Sequence, residues 1–186
     1  MKLTEMQLPG VVLIEPDVFV DDRGYFLETY RAARYAESGV TGTFVQDNLS
    51  YSEAGVLRGL HFQNPRAQAK LVYVPAGEIF DVAVDVRRGS PTFGRWTGAR
   101  LSSDNRHQLY IPVGFAHGFC VLSDGARVIY KCTDVYDPAA EVSVLWNDPD
   151  IGIDWPVRTP RLSPKDAAAP PLKAIDPQRL PGYPGN

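Results

Sequence analysis

Short runs that alternate apolar and polar residues, separated by glycine, proline and aspartate, limit most strongly how this chain can fold. Residues 80–86 (FDVAVDV) and 128–132 (VIYKC) are the clearest of these runs. Successive side chains of a strand point to opposite faces of a sheet, so each run suits a half-buried strand. Only residues 30–38 show the spacing of a short helix. The pattern predicts an all-β sandwich or barrel. Further candidate strands lie at residues 70–75, 108–111, 118–122 and 142–146.

The length of the chain and its proline distribution predict how it is organised. A chain of 186 residues suits one domain with a sizeable core. Half of the sixteen prolines lie from residue 156 onward. Proline has no backbone N–H to donate, so central strands are excluded there. We therefore expect a single domain over residues 1–186, with residues 156–186 wrapped over its surface as a tail.

The charge balance and the apolar runs exclude several classes of partner. The 19 basic and 22 acidic residues give a net charge of -3, so no global positive field attracts nucleic acid or an anionic membrane. The longest apolar run near the start, residues 11–14, is far too short for a signal peptide or a membrane span. We expect a cytoplasmic protein with no nucleic-acid or membrane partner. Cys120 and Cys132 lie in apolar runs and are expected to be core residues rather than a disulfide or metal ligands.

A polar cluster lies within one stretch of eighteen residues that otherwise reads as strand, glycine turn and strand. It consists of Gln46, Asn48, Arg58 and His61, which supply amides, a fixed cation and a proton carrier. We therefore expect the functional site here. Arg58 and His61 would face opposite ways on a regular strand, whereas a bulge at Gly59 would bring them together. The sequence leaves both arrangements open.

A second histidine motif, Pro112-x-Gly114-x-x-His117, resembles the second motif of the cupin jelly roll. In metal-dependent cupins an earlier H-x-H and a glutamate complete the ligand set, but residues 61–63 read His-Phe-Gln here. With three histidines in all, a metal site is difficult to assemble. We expect a metal-free site, in which the ammonium of Lys70 stabilises negative charge.

Seven motifs, in their order and spacing, resemble the dTDP-4-dehydrorhamnose 3,5-epimerases. They are residues 22–28 (DRGYFLE), 46–63, 111–119, 130–134 (YKCTD), 146–149 (WNDP), 153–156 (IDWP) and 162–166 (LSPKD). The resemblance implies a cupin-type jelly roll with one or a few short helices. It also implies an isomerase that converts dTDP-4-dehydro-6-deoxy-D-glucose to dTDP-4-dehydro-L-rhamnose, in dTDP-L-rhamnose biosynthesis and without a cofactor.

The resemblance assigns four catalytic residues. Inversion of a carbon next to a ketone needs a base on one face, an acid on the other and a stabilised enolate between them. His61 is implied as the base and Asp166 as the carboxylate that orients it, since histidine accepts protons near neutral pH. Tyr130 is implied as the proton donor. Lys70 is implied as the cation beside the ketone oxygen.

The resemblance also assigns the residues that bind the substrate, which are Arg23, Phe26, Glu28, Gln46, Asn48, Arg58 and His117. A guanidinium matches two phosphate oxygens at once, so Arg23 and Arg58 are the expected diphosphate clamps. Phe26 is expected to pack on the nucleotide base, and the role of His117 stays open. In the family, residues 23–28 reach the site of the neighbouring subunit, which implies a homodimer with shared pockets.

Two other functions remain open from the sequence. Related enzymes of other dTDP-4-keto-deoxysugar pathways invert one carbon only and share most of these residues. A noncatalytic cupin that binds a sugar nucleotide would need the cations and amides, but not His61, Tyr130 and Asp166 together. Taken singly, each of these three has an ordinary structural explanation, as a core histidine, a core aromatic and a turn residue.

Overall fold

The computed structural model describes residues 1–183. Thirteen strands and two α-helices occur in this part of the chain. The strands are β1 Lys2–Glu5, β2 Val12–Glu15, β3 Val18–Asp21, β4 Gly24–Leu27, β5 Gln46–Glu53, β6 Leu57–Gln63, β7 Lys70–Ala76, β8 Glu78–Asp85, β9 Trp96–Ser102, β10 Gln108–Ile111, β11 Phe115–Val121, β12 Gly125–Cys132 and β13 Glu141–Ser143. The helices are α1 Ala32–Glu37 and α2 Pro164–Ala167, and short 3-10 turns span Leu172–Ala174 and Pro177–Arg179.

The strands form two large antiparallel sheets and one small ribbon. The six-stranded sheet has the order β1-β2-β10-β7-β12-β5, and the five-stranded sheet has the order β13-β6-β11-β8-β9. The inner core draws on both sheets, with Val72 and Leu109 from the first and Ile79 and Phe119 from the second. Burying one face of each sheet against the other is the arrangement of a β-sandwich. The predicted all-β jelly-roll fold is confirmed.

The outer faces of both sheets are also covered. Helix α1 places Tyr35 against Ile14 and Leu71 of the six-stranded sheet. The predicted helix over residues 30–38 is therefore confirmed with shorter bounds. On the five-stranded sheet, Leu172 and Leu180 from the end of the chain join the cluster of Leu57, Val82 and Val84.

The final segment is tied to the sandwich by backbone hydrogen bonds. Leu57 N–H donates to Arg161 O at 3.0 Å, and Arg161 N–H donates to Gly55 O at 2.8 Å. Further along, Arg88 N–H donates to Pro181 O at 2.8 Å. These bonds fix the path of the chain on either side of α2, and so determine where Asp166 lies.

Several strand predictions differ from the structure in their bounds. The strand predicted at 142–146 ends at Ser143. Leu145 N–H donates a hydrogen bond to Pro170 O at 2.8 Å and does not continue the pairing with β6. The strand predicted at 118–122 begins earlier, at Phe115. Strands β1 to β4 and β9 were not predicted, and nor was α2. Within residues 1–183, no helix is long and apolar enough to cross a membrane. Both cysteines are free and buried, as predicted.

Candidate active site

A cleft at one end of the sandwich brings together side chains from both sheets. Two adjoining cavities, of about 520 and 310 Å³, share His61, Lys70 and Tyr130 in their walls. His61 comes from β6 of the five-stranded sheet, whereas Lys70 and Tyr130 come from β7 and β12 of the other. The cleft therefore lies where the two sheets meet, as expected for the mouth of a jelly roll.

A bulge in β6 turns Arg58 and His61 towards the same cavity. In the pairing with β11, His61 is opposite His117 and Arg58 is opposite Phe119. These pairs are three residues apart on β6 but only two residues apart on β11, so β6 carries one extra residue between them. Gly59 has a φ of 108°, and a Cβ there would lie 2.6 Å from the backbone of both Gly118 and His117. Only glycine fits this position. Of the two arrangements left open by the sequence, the bulge is the one that occurs.

His61 is held by Asp166 across the cleft wall. His61 Nε2 donates to Asp166 Oδ1 at 2.6 Å. Asp166 lies in α2, where Ser163 caps the helix by accepting a hydrogen bond from Asp166 N–H at 3.1 Å. Burial alone would raise the pKa of Asp166, but hydrogen bonds from His61, Ser163 and the Gly59 N–H hold that pKa below its usual value. Asp166 is thus an anion, and Nδ1 of His61 is the ring nitrogen left to act on a substrate.

Lys70 and Tyr130 have pKa values shifted by burial. Burial lowers the pKa of Lys70, while Cys132, Asp81 and Glu141 act in the opposite direction. Burial raises the pKa of Tyr130, which keeps its hydroxyl protonated. The cleft therefore combines a base, a protonated phenol and an amine in a partly desolvated space.

His117 forms a second buried pair behind the cleft. Its Nε2 donates to Asp81 Oδ1 at 2.7 Å, and the Asp81 side chain is fully buried. Burial lowers the pKa of His117, although the charge of Asp81 opposes this shift. Its ring also lies 6.4 Å from that of Tyr130, centroid to centroid, and lines the larger cavity. His117 thus borders the cleft while packing against the phenol.

The polar residues of β5 and β6 line the two ends of the cleft. Arg58 borders the larger cavity, where its Nε donates to Ser52 Oγ at 2.8 Å. Gln46 and Asn48 border the smaller cavity and are joined by a 3.0 Å hydrogen bond from Gln46 Nε2 to Asn48 Oδ1. Gln46 Oε1 also accepts from the backbone N–H of Tyr136 at 2.9 Å. Cation and amides therefore lie on either side of His61.

Arg23, Phe26 and Glu28 lie away from this cleft within the described chain. Arg23 forms an ion pair with Asp21 on the β3–β4 ribbon, and Phe26 on the same ribbon is 69% exposed. Glu28 accepts from Arg34 at 3.3 Å. One subunit alone does not bring these three predicted residues to His61.

Among the cleft side chains that were not assigned from the sequence are Glu141, Lys165 and Tyr136. Glu141 Oε1 lies 3.9 Å from His61 Nδ1, and Glu141 Oε2 accepts from Lys165 and Tyr136. The sequence did contain a signal for Lys165, because this residue directly precedes Asp166, which was assigned to the site. The sequence contained no such signal for Glu141, because its position beside His61 depends on the pairing of β13 with β6. Residues 1–183 contain no group of three or more His, Cys, Asp or Glu side chains that could hold a metal ion.

Comparison with known proteins identifies the family. The sequence model of the dTDP-4-dehydrorhamnose 3,5-epimerases matches residues 5–174. The chain belongs to this family. The resemblance found in the motifs is therefore confirmed, and the enzymes of the family, being epimerases, are isomerases.

Individual dTDP-4-dehydrorhamnose 3,5-epimerases agree with this assignment. The enzyme of Neisseria gonorrhoeae is 59% identical over 90% of this chain, which spans only 52% of that relative's length. The enzyme of Pseudomonas aeruginosa is 55% identical over 89% of this chain and 93% of its own. A crystal structure of the Legionella pneumophila epimerase, in complex with dTDP-4-keto-L-rhamnose, is 53% identical with a TM-score of 0.96, covering 98% of both chains.

Proposed function

We propose that this chain inverts carbons 3 and 5 of dTDP-4-dehydro-6-deoxy-D-glucose to give dTDP-4-dehydro-L-rhamnose, a step of dTDP-L-rhamnose biosynthesis. The observation that carries the proposal is the cleft in which His61, bonded to Asp166 at 2.6 Å, meets Tyr130 and Lys70. These side chains supply a base, an acid and an electrostatic stabiliser for one enolate mechanism.

His61 is the proposed base. Asp166 fixes the tautomer in which Nε2 carries the proton, so the lone pair of Nδ1 faces the cleft. When Nδ1 takes the proton next to the ketone, the imidazolium that forms is stabilised by the adjacent carboxylate. The C–H electron pair moves into the enolate.

Lys70 and Tyr130 complete the inversion. The Lys70 ammonium lies beside the ketone oxygen in this proposal, and a preorganised donor there is worth about 3 to 4 kcal/mol of transition-state stabilisation. Tyr130 then protonates the opposite face of the enolate. Because burial raises its pKa, the hydroxyl keeps its proton until the carbanion needs it. None of these steps calls for a cofactor or a metal ion.

Arg58, Gln46, Asn48 and His117 are the proposed substrate-binding residues of the same subunit. Arg23, Phe26 and Glu28 are proposed to act in the cleft of a partner subunit, because they lie on or just after an exposed ribbon remote from their own His61. Such an exchange requires a homodimer. We propose as well that the chain functions as a single domain, in the cytoplasm.

Proton NMR of the substrate incubated with the enzyme in deuterium oxide, with a rhamnose-forming reductase present, tests the proposed function. Deuterium at both carbon 3 and carbon 5, together with trapped dTDP-L-rhamnose, is the expected result. Label at one carbon only would instead identify a single-site epimerase of a related pathway. Absence of label, with dTDP still bound, would indicate a noncatalytic nucleotide-binding cupin.

A further inference from the structure

Glu141 faces the ring nitrogen of His61 that points away from Asp166. Its Oε1 lies 3.9 Å from His61 Nδ1, while its Oε2 accepts from Lys165 Nζ at 2.7 Å and from the Tyr136 hydroxyl at 3.1 Å. The pairing of β13 with β6 places this carboxylate, because Ser143 on the same strand is opposite His61. The imidazole therefore stands between two carboxylates, one at each nitrogen.

The charge on Glu141 is maintained by its neighbours. Burial alone would raise the pKa of Glu141, but the hydrogen bond from Lys165 and the charges of His61 and Lys165 hold that pKa below its usual value. Glu141 is thus an anion that can take up a proton. Glu141 itself reaches solvent, because its side chain is 16% exposed, whereas the Asp166 side chain is 3% exposed.

Two successive inversions, as in the function proposed above, require the acid and the base to be reset between them. The first inversion moves a proton from carbon to His61 Nδ1 and another from Tyr130 to the opposite face. It leaves an imidazolium and a phenolate. Before the second inversion His61 must release its proton and Tyr130 must regain one. Water can accept the proton from His61 and supply a proton to Tyr130. The release from Nδ1 needs a route past the bound substrate.

We propose that Glu141 receives the proton from His61 Nδ1 after the first inversion and passes it to water. The carboxylate becomes a neutral acid and returns to the anion when water takes the proton. The separation of 3.9 Å is about 1 Å longer than a charge-assisted N–H···O hydrogen bond, so a small rotation of the Glu141 side chain closes it. Glu141 acts through His61, and this role rests on the double epimerisation proposed above.

The test compares the labelling of product by the wild-type chain and by Glu141→Gln in deuterium oxide. Mass spectrometry of quenched samples gives the ratio of singly to doubly deuterated sugar at equal conversion. Glu141→Gln is expected to raise this ratio about tenfold or more, since loss of a positioned proton acceptor typically slows transfer by at least that factor. Glu141→Asp, which keeps a carboxylate, should show a smaller rise. Added formate should lower the ratio of Glu141→Gln and leave that of the control, Glu37→Gln on exposed α1, unchanged.

A labelling ratio for Glu141→Gln equal to that of the wild type, even at reduced total turnover, would overturn the relay and leave only a binding or structural role. If Glu141→Gln fails to fold or to turn over, Glu141→Asp decides the question: its shorter side chain holds the carboxylate farther from His61 Nδ1, so the relay predicts a raised ratio, and an unchanged ratio refutes it. Failure of the proposed function is recognised separately, because the wild-type chain would then not label both carbons, and a relay between two inversions would fall with it.

Discussion

His61 Nε2 and Asp166 Oδ1 lie 2.6 Å apart although 105 residues separate them in the chain. The two residues meet because backbone hydrogen bonds that join Arg161 to Gly55 and to Leu57, the first residue of β6, hold the final segment against the sheet that carries His61. Ser163 then starts α2 so that its first turn presents Asp166 to the imidazole. A proline-rich segment without strands thus supplies one half of the proposed catalytic pair.

Asp166→Asn is expected to lower turnover about a hundredfold to ten-thousandfold, because the amide can no longer fix the productive tautomer or stabilise the imidazolium. Binding of dTDP should be nearly unchanged, since Arg58 is not altered. Coupled reductase assays and calorimetry with dTDP measure the two quantities. Asp150→Asn, which removes an exposed partner of Lys173, is the matched control and should behave as wild type. Near-normal turnover by Asp166→Asn would contradict the assigned base.

Tyr130→Phe is expected to separate proton abstraction from product formation. The variant keeps His61 and Lys70, so deuterium exchange next to the ketone should persist while trapped dTDP-L-rhamnose falls about a hundredfold or more. Exchange is followed by NMR, and product by the reductase. Tyr183→Phe is the matched control and should behave as wild type, because that ring packs on Arg87 and does not line the cleft. An equal loss of exchange and product in Tyr130→Phe would mean that the phenol is not simply the acid.

The fold was predictable where burial alternates along a strand. Strand β12 begins with that alternation, because exposed Arg127 lies between buried Ala126 and Val128, whereas β7 and β10 were predicted from short runs rich in apolar residues. Strand β1 and the β3–β4 ribbon expose most of their side chains and carry no such signal. The end of β13 was mispredicted for another reason. Leu145 N–H donates to Pro170 O, a partner that no local pattern reveals.

The site was predictable in its residue types and less so in its geometry. The resemblance to the family named His61, Asp166, Tyr130 and Lys70, and all four border the described cleft. Whether the Arg58 side chain also points into the cleft depends on the backbone conformation at Gly59, and the alternation of side chains along a strand does not determine that conformation. Glu141 was missed because its position beside His61 arises from strand pairing across 80 residues of chain, from 61 to 141.

Arg58→Lys is expected to weaken substrate binding while leaving the chemical step largely intact. The lysine keeps the charge but loses the planar fork, and with it the bond to Ser52 and two-point contact with the diphosphate. KM should rise about tenfold or more with a smaller change in kcat, the pattern of lost uniform binding. Steady-state kinetics measure this split. Arg95→Lys on an exposed turn is the control, and a fall in kcat alone would argue against a clamp.

The buried carboxylate of Asp85 makes folding stability depend on pH. Burial would raise the pKa of Asp85, but hydrogen bonds from Arg87, Ser90 and Thr92 hold it below its usual value. A carboxyl whose folded pKa lies below the unfolded value of about 3.9 contributes stability above that pH, and the contribution is lost as pH falls through the folded pKa.

Asp85→Asn should therefore cost about 1.5 to 3 kcal/mol of unfolding free energy at pH 7, the range for hydrogen bonds to a charged group. The difference from wild type should narrow as the pH falls below about 4, because the wild-type carboxyl becomes protonated there. Urea unfolding at a series of pH values measures both effects, with Asp104→Asn on an exposed turn as the control. A difference that stays constant down to acid pH would show that the amide disturbs packing rather than charge.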